Sequence, residues 1–286
     1  MMKNIFLYSI AILFLALSSC SSVPLTGRKQ VLLVSDQEVL TLSLQEYGEF
    51  MKTAPKSTDK ANTALVNKVG RNIANAVETY LKANGMESML SEYAWEFNLV
   101  KSPEVNAFCM PGGKIVVYEG ILPITKDETG LAVVLGHEVA HAVAKHANER
   151  MSQQMLQQYG GAVLGVALSG TSSTVQTVAN SVYGLGAEYG VMLPYSRKQE
   201  LEADKLGLIF MAMAGYNPQE AEGFWTRMSN NAGGASVAEF QSTHPSDETR
   251  IKKIREALPE AMKYYKGSTG NSTKTQSSKT SDQWKF

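Results

Sequence analysis

Cysteine, charge bias and long apolar runs are what this 286-residue chain has least of. Two cysteines, Cys20 and Cys109, are too few for a disulfide framework. The 27 basic and 27 acidic residues cancel, so no charged face calls for nucleic acid. Aromatic residues make up only 8%, and no segment repeats at a fixed period. The first apolar run, Ile5 to Leu17, is too short and wrongly flanked to span a bilayer. A second stretch, Gln154 to Leu193, is rich in Gly, Ala, Ser and Val but is interrupted by Gly160, Gly161, Gly165 and Gly170. What is present, 44% hydrophobic and 19% charged residues, fits one soluble globular domain.

Residues 1–19 read as a signal segment. Lys3 gives it a positive start, Ile5 to Leu17 an apolar core, and Leu17-Ser18-Ser19 lie directly ahead of Cys20. That pattern predicts cleavage and lipidation at Cys20, and Ser21 after it favours the periplasmic face of a bacterial outer membrane. A triacylated cysteine buries enough methylene to hold a protein on a bilayer. Removing residues 1–19 takes out Lys3 alone, leaving 26 basic against 27 acidic residues. With Cys20 lipidated, Cys109 has no disulfide partner and reads as a small buried hydrophobe.

Ser35-Asp36-Gln37-Glu38 is a capping box that opens a helix to about Phe50. Leu65, Val69, Ile73 and Val77 share a face and predict a second helix from about Asp59 to Lys82. Trp95, Phe97 and Leu99 alternate with Glu96 and Asn98 as in a strand, and Asn106–Met110 and Lys114–Tyr118 flank Pro111-Gly112-Gly113 as a hairpin. Further helices are expected over Arg197–Ala214, after Asn217-Pro218 and after His244-Pro245. The stretch 154–193 fits either two helices packed through small residues or a lid, and from Lys266 onward the composition is that of a disordered polar tail.

The chemistry is concentrated in Gly136-His137-Glu138-Val139-Ala140-His141. Histidines four residues apart are offset by only about 40° on a helix, so His137 and His141 can reach one metal ion. The surrounding Leu131 to Ala147 is otherwise almost wholly apolar, and burying two imidazoles and a carboxylate unsatisfied would cost several kcal/mol, on the order of a domain's spare stability. A metal satisfies all three. This is the HExxH signature of zinc hydrolases, in which Glu138 acts as general base toward an activated water.

A catalytic zinc takes a third protein ligand. A third histidine six residues after His141 is excluded, because position 147 is Ala. His146 lies about 180° round a continuous helix from His137 and is expected on the surface. The best carboxylate is Glu200 in Glu200-Leu201-Glu202-Ala203-Asp204, with Glu222 a weaker rival. Asp204 shares the face of Glu200 and could accept the outer N–H of a ligating histidine, whereas Glu202 is expected on a solvated acidic face.

These motifs, with His244-Pro245, Asn106-Ala107-Phe108, Pro111-Gly112-Gly113 and the opening Pro24-Leu25-Thr26-Gly27-Arg28, resemble the HtpX and CAAX prenyl protease family of zinc gluzincins. The likeness is nearest to its soluble periplasmic BepA- and LoiP-like branch and to the mitochondrial overlapping-activity protease. It covers roughly Val23 to Glu256. The resemblance implies an α+β, mostly α-helical fold: a gluzincin metallopeptidase domain with a small β-sheet or hairpin beside the HExxH helix. It implies one zinc ion per chain on His137, His141 and Glu200, Asp204 behind them, and catalytic roles for Glu138 and His244. His244 would approach the metal as a resting fourth ligand or as a donor to the oxyanion, with Arg250 a lower-ranked candidate at the same place.

Substrate is expected to pair with the edge of the hairpin around Asn106, Ala107, Phe108, Gly112 and Gly113. The substrates implied are unfolded or misassembled envelope proteins. The expected organisation is a signal segment over 1–19, a lipid-anchored segment and helix over 20–57, the peptidase domain over 58–262 and a tail over 263–286. A non-proteolytic zinc-containing chaperone is the competing reading. Glu138 beside the histidine pair argues against it, because a structural zinc site needs no such carboxylate.

Overall fold

The computed structural model describes residues 20–159, 175, 196–231, 244 and 248–267. The segment 1–19, most of 154–193 and the tail beyond residue 267 lie outside them, so the expectations of a signal, a lid and a disordered tail concern residues not described. The architecture is α+β and mostly helical, as expected. Among the described residues no helix is long and apolar enough to cross a membrane.

A short antiparallel hairpin comes first: β1 (Cys20–Ser22) and β2 (Lys29–Val31). Helix α1 (Asp36–Thr53) starts on the predicted cap, with Ser35 accepting from the Glu38 N–H. Helix α2 (Lys60–Ala83) is capped by Asp59 and buries Val66, Val69, Ile73, Val77 and Leu81 along one stripe. A three-stranded sheet follows, built from β3 (Glu96–Val100), β4 (Ala107–Met110) and β5 (Lys114–Tyr118). Its order is β3-β5-β4, with β5 parallel to β3 and antiparallel to β4, so β4 is an edge strand. Gly112 and Gly113, at φ 89° and 77°, turn β4 into β5 through backbone angles that side-chain-bearing residues rarely adopt.

Period-two alternation splits this sheet cleanly. Phe97, Leu99, Ala107, Cys109, Ile115 and Val117 face the main core shared with α2 and the later helices, whereas Phe108, Met110, Val116 and Tyr118 face α1. The expected hairpin is therefore present, but a parallel third strand makes β5 central. Cys109 is buried and unpaired, as a small hydrophobe would be.

Beyond a single helical turn α3 (Leu122–Thr125), α4 (Glu128–Val143) carries the histidine pair; Asp127 caps it by accepting from the Gly130 N–H at 2.8 Å. Apart from its first turn and the His137, Glu138 and His141 side chains it is apolar all round, and it is buried nearly throughout. Helix α5 (His146–Tyr159) is a separate element, because Lys145 sits at φ 54° and breaks the run. Among the described residues, helices α6 (Arg197–Met213), α7 (Glu220–Asn230) and α8 (Glu248–Ala261) follow.

Helices α4 and α6 approach each other closely through two glycines. A Cβ built on Gly136 would lie 2.8 Å from the Gly207 carbonyl oxygen, and one on Gly207 would lie 2.8 Å from the His137 nitrogen. Only glycine at both positions lets the backbones touch there. Glu200, Asp204 and Gly207 are spaced four and three apart on α6, so that contact aims both carboxylates at the histidines.

Candidate metal centre

Four side chains from three parts of the chain converge. One ligand atom from each of His137, His141, Glu200 and His244 lies within 4.8 Å of the others, and all four residues are buried. Nε2 of His137 is 3.0 Å from Nε2 of His141, 3.2 Å from Nδ1 of His244 and 3.4 Å from Oε2 of Glu200. Oε1 of Glu200 is 3.3 Å from His141 Nε2 and 3.0 Å from His244 Nδ1. A tetrahedral zinc with bonds of about 2.0–2.1 Å has ligand–ligand edges of about 3.3–3.4 Å. The observed separations cluster near that value, and three imidazoles with a carboxylate are a zinc donor set. The residues fit the ion.

Glu138 completes the site. Its Oε1 is buried with no hydrogen-bond partner among the described residues, 3.6 Å from His244 Nε2. The Cys109 backbone N–H donates to the same carboxylate and ties the edge strand β4 to it. Burial pushes the Glu138 carboxyl above its ordinary range, although His244 and His137 pull the other way. A raised carboxyl is better matched to proton transfer near neutrality than a surface one.

Behind His137 stands Asp204. Asp204 Oδ1 lies 2.9 Å from His137 Nδ1 and accepts its proton, which leaves Nε2 directed at the cluster. Burial alone would lower the His137 imidazole, but Glu200 and Asp204 outweigh it and hold it up at about 9. Two buried carboxylates thus draw a positive charge to this spot, the demand that a cation meets. Burial drives His141 the other way, well down, into the neutral form that ligates metal.

Arg250 counts for more here than its sequence rank suggested. It is 2% exposed, and donates to Asp204 through Nε at 2.7 Å and Nη2 at 2.7 Å, with Nη1 3.1 Å from Glu200 Oε2. Its guanidinium lies 3.5 Å over the Trp225 ring, which also packs edge-on to His137. Sequence reading gave no role to Trp225. No local pattern links it to residues so distant in the chain.

Two expectations fail. His146 is not on the surface: it is fully buried, with Nδ1 2.9 Å from His141 Nδ1 and Nε2 3.1 Å from Glu202 Oε2. Glu202 is likewise buried, receiving the Thr26 hydroxyl at 2.6 Å and Arg28 Nε at 2.5 Å. The cause is the break at Lys145, which redirects His146 from the side a continuous helix would give it. The rival ligand Glu222 is away from the cluster, paired with Arg255 on an exposed stretch of α7 and α8.

Of the residues expected to meet substrate, Ala107 and Phe108 lie on the edge strand β4, Asn106 directly precedes it, and Gly112 and Gly113 form the turn after it. Asn106 is buried, its side-chain oxygen accepting from the Ala107 N–H and its backbone carbonyl from the Tyr118 N–H. Cys20 opens β1.

Comparison with known proteins agrees with this geometry. Residues 68–258 match the family described as Peptidase family M48. The mitochondrial metalloendopeptidase OMA1 of Schizosaccharomyces pombe is 38% identical over 221 residues, covering 77% of this chain and 58% of that protein. Its Saccharomyces cerevisiae counterpart is 32% identical over 253 residues, covering 86% and 71%. The beta-barrel assembly-enhancing protease of Escherichia coli is 26% identical over 210 residues, covering 71% and 40%. The chain therefore spans only part of each relative's length. One expectation is overturned here: the relatives with the higher identities are mitochondrial by name, which points away from the periplasmic face of a bacterial outer membrane.

Proposed function

The chain belongs to Peptidase family M48, and from that premise we propose that it is a zinc-dependent metalloendopeptidase that cleaves unfolded or misassembled proteins. The observation that carries the reading is the convergence of one ligand atom each from His137, His141, Glu200 and His244, beside a Glu138 oxygen that has no hydrogen-bond partner among the described residues. His137, His141 and Glu200 would hold the ion. When bound, it supplies the Lewis acidity for activating water and polarising a scissile carbonyl.

The rest is the work of the chain's own residues. Glu138 takes the proton from the attacking water and delivers it to the leaving amine. Asp204 keeps the His137 proton on Nδ1, and Arg250 neutralises the buried carboxylate behind it. His244 would be a fourth donor in the resting site and a hydrogen-bond donor to the carbonyl oxygen where charge develops.

An extended substrate adds to the outer edge of β4 through Ala107 and Phe108, with Asn106, Gly112 and Gly113 framing that strand. Backbone pairing gives affinity with little demand on side chains, which suits substrates defined by being unfolded. Residues 58–262 form the proposed peptidase unit, with 20–57 docked on it. Acylation of Cys20 is proposed on the apolar run and small residues ahead of it alone, apart from any location; the intact mass of the mature chain tests it.

A non-proteolytic zinc chaperone is disfavoured by Glu138, since a site built only to hold structure has no use for a buried carboxylate oxygen beside the ion that has no partner among the described residues. The deciding experiment is Glu138→Gln. Cleavage of unfolded casein should drop by at least about a hundredfold while zinc stays near one ion per chain. Retained cleavage in that variant would remove the general base and the proposal with it.

A further inference from the structure

His141 turns its outer nitrogen toward a line of side chains that the reaction itself does not use. A ring that ligates through Nε2 carries its proton on Nδ1. That proton points at Nδ1 of His146, 2.9 Å away, which must then accept. The His146 proton is left on Nε2 and donates to Glu202 at 3.1 Å. Because an ionised carboxylate only accepts, Glu202 fixes the direction of both bonds.

Glu202 is itself gripped from outside. Thr26 Oγ1 donates to it at 2.6 Å and Arg28 Nε at 2.5 Å, while the other two Arg28 nitrogens hold Glu149 at 2.6 and 2.8 Å. Gln199 Nε2 donates to the same Glu149 at 2.8 Å, tying α5 to α6. Thr26 and Arg28 both come from the turn between β1 and β2, folded back by the Val23 N–H to Arg28 carbonyl bond at 2.9 Å, with Leu25 and Gly27 at φ 65°. The Pro24–Arg28 sequence otherwise has no part in the site.

We propose that the Thr26–Arg28 turn is a positioning device for the metal ligand His141, acting through Glu202 and His146. The inference rests on the zinc-peptidase reading of the same centre. His146, Glu202 and Arg28 are positioning residues: the first fixes the His141 tautomer and ring angle, the second lends its charge through His146, and the third holds the second in place. The arrangement reaches from a partly exposed turn to the ligand in three hydrogen bonds.

The test uses the full chain, with zinc affinity measured by chelator competition and ligand geometry by the visible absorption of the cobalt-substituted protein. Glu202→Gln should weaken zinc binding about tenfold or more and shift the cobalt bands, with Arg28→Lys changing both in the same direction and less. His146→Gln combined with Glu202→Gln should cost no more affinity than His146→Gln alone, because both act through one nitrogen. The exposed Glu49→Gln should alter neither readout.

Wild-type affinity and unshifted cobalt bands in Glu202→Gln would overturn the inference, whatever the change in melting temperature, as would additive losses in the double variant. Should Glu202→Gln fail to fold, Thr26→Val removes one bond to the same carboxylate from a partly exposed residue; a few-fold weaker affinity is expected, and an unchanged one overturns the inference. A wild-type chain that bound no zinc would instead bring down the peptidase reading beneath it.

Discussion

The two histidines leave one face of α4 a single turn apart, yet their outer nitrogens meet different surroundings. Behind His137 stands Asp204, with Arg250 clamped on it and stacked over Trp225, all inside the core. Behind His141 an imidazole intervenes, and the charge that backs it belongs to Glu202, whose own partners Thr26 and Arg28 lie on a turn that water partly reaches. The first flank is short, ionic and sealed. The second is longer and ends near the surface. One ligand is therefore fixed by the core, whereas the other answers to a peripheral segment, and the two should fail differently.

The largest effect should come from the sealed flank. Arg250→Leu strips the counter-charge from Asp204 and leaves it buried, so urea unfolding of the variant should show a loss of about 3–5 kcal/mol. A loss below about 1 kcal/mol, within the range of an exposed pair, would mean that this flank is not the rigid one.

Asp204→Asn comes next, since it keeps the shape but weakens the acceptor behind His137. Chelator competition should show zinc held about 10–100-fold more weakly, and by more than Glu202→Gln weakens it. The reverse order would invert the comparison.

The smallest effect belongs to the outer flank. Burial would raise the Glu149 carboxyl, but the Arg28 and Gln199 bonds overcome it and hold it below its ordinary 4.5. A depressed carboxyl adds stability that is fully present above the unfolded value and fades as pH falls through the folded one. Melting temperature followed downward from about pH 6 should therefore fall less steeply below about 4.5 in Glu149→Gln than in wild type. Parallel curves would show that the Arg28–Glu149 pair contributes nothing to the fold.

How much of this was legible in the sequence follows from how local each signal is. His137 and His141 are read from one helical turn, and Glu200 with Asp204 from another, because helix spacing alone puts each pair on one face. The Ser35 cap and the Gly112-Gly113 turn are equally local. His146 is misplaced by reading a continuous helix through Lys145, a residue with a left-handed backbone where neither glycine nor proline announces a break, and Glu202 because its partners Thr26 and Arg28 come from a turn far away in the sequence. Lys145 is held there by Asp36 at 2.6 Å and Glu92 at 2.9 Å, both distant in sequence. Arg250 and Trp225 are a tertiary pairing with no local pattern. The touching glycines Gly136 and Gly207 could have been suspected, but only α6 laid across α4 shows what they are for.

The central claim is that two imidazoles of α4 and the carboxylate of Glu200 bind one zinc ion, with His244 beside them at rest. X-ray absorption of the zinc-loaded protein addresses it directly. The account predicts only nitrogen and oxygen neighbours at about 2.0–2.1 Å, with the imidazole scattering of three rings in the wild type and two in His244→Ala. A sulfur neighbour, or fewer than two imidazoles in the wild type, would contradict it.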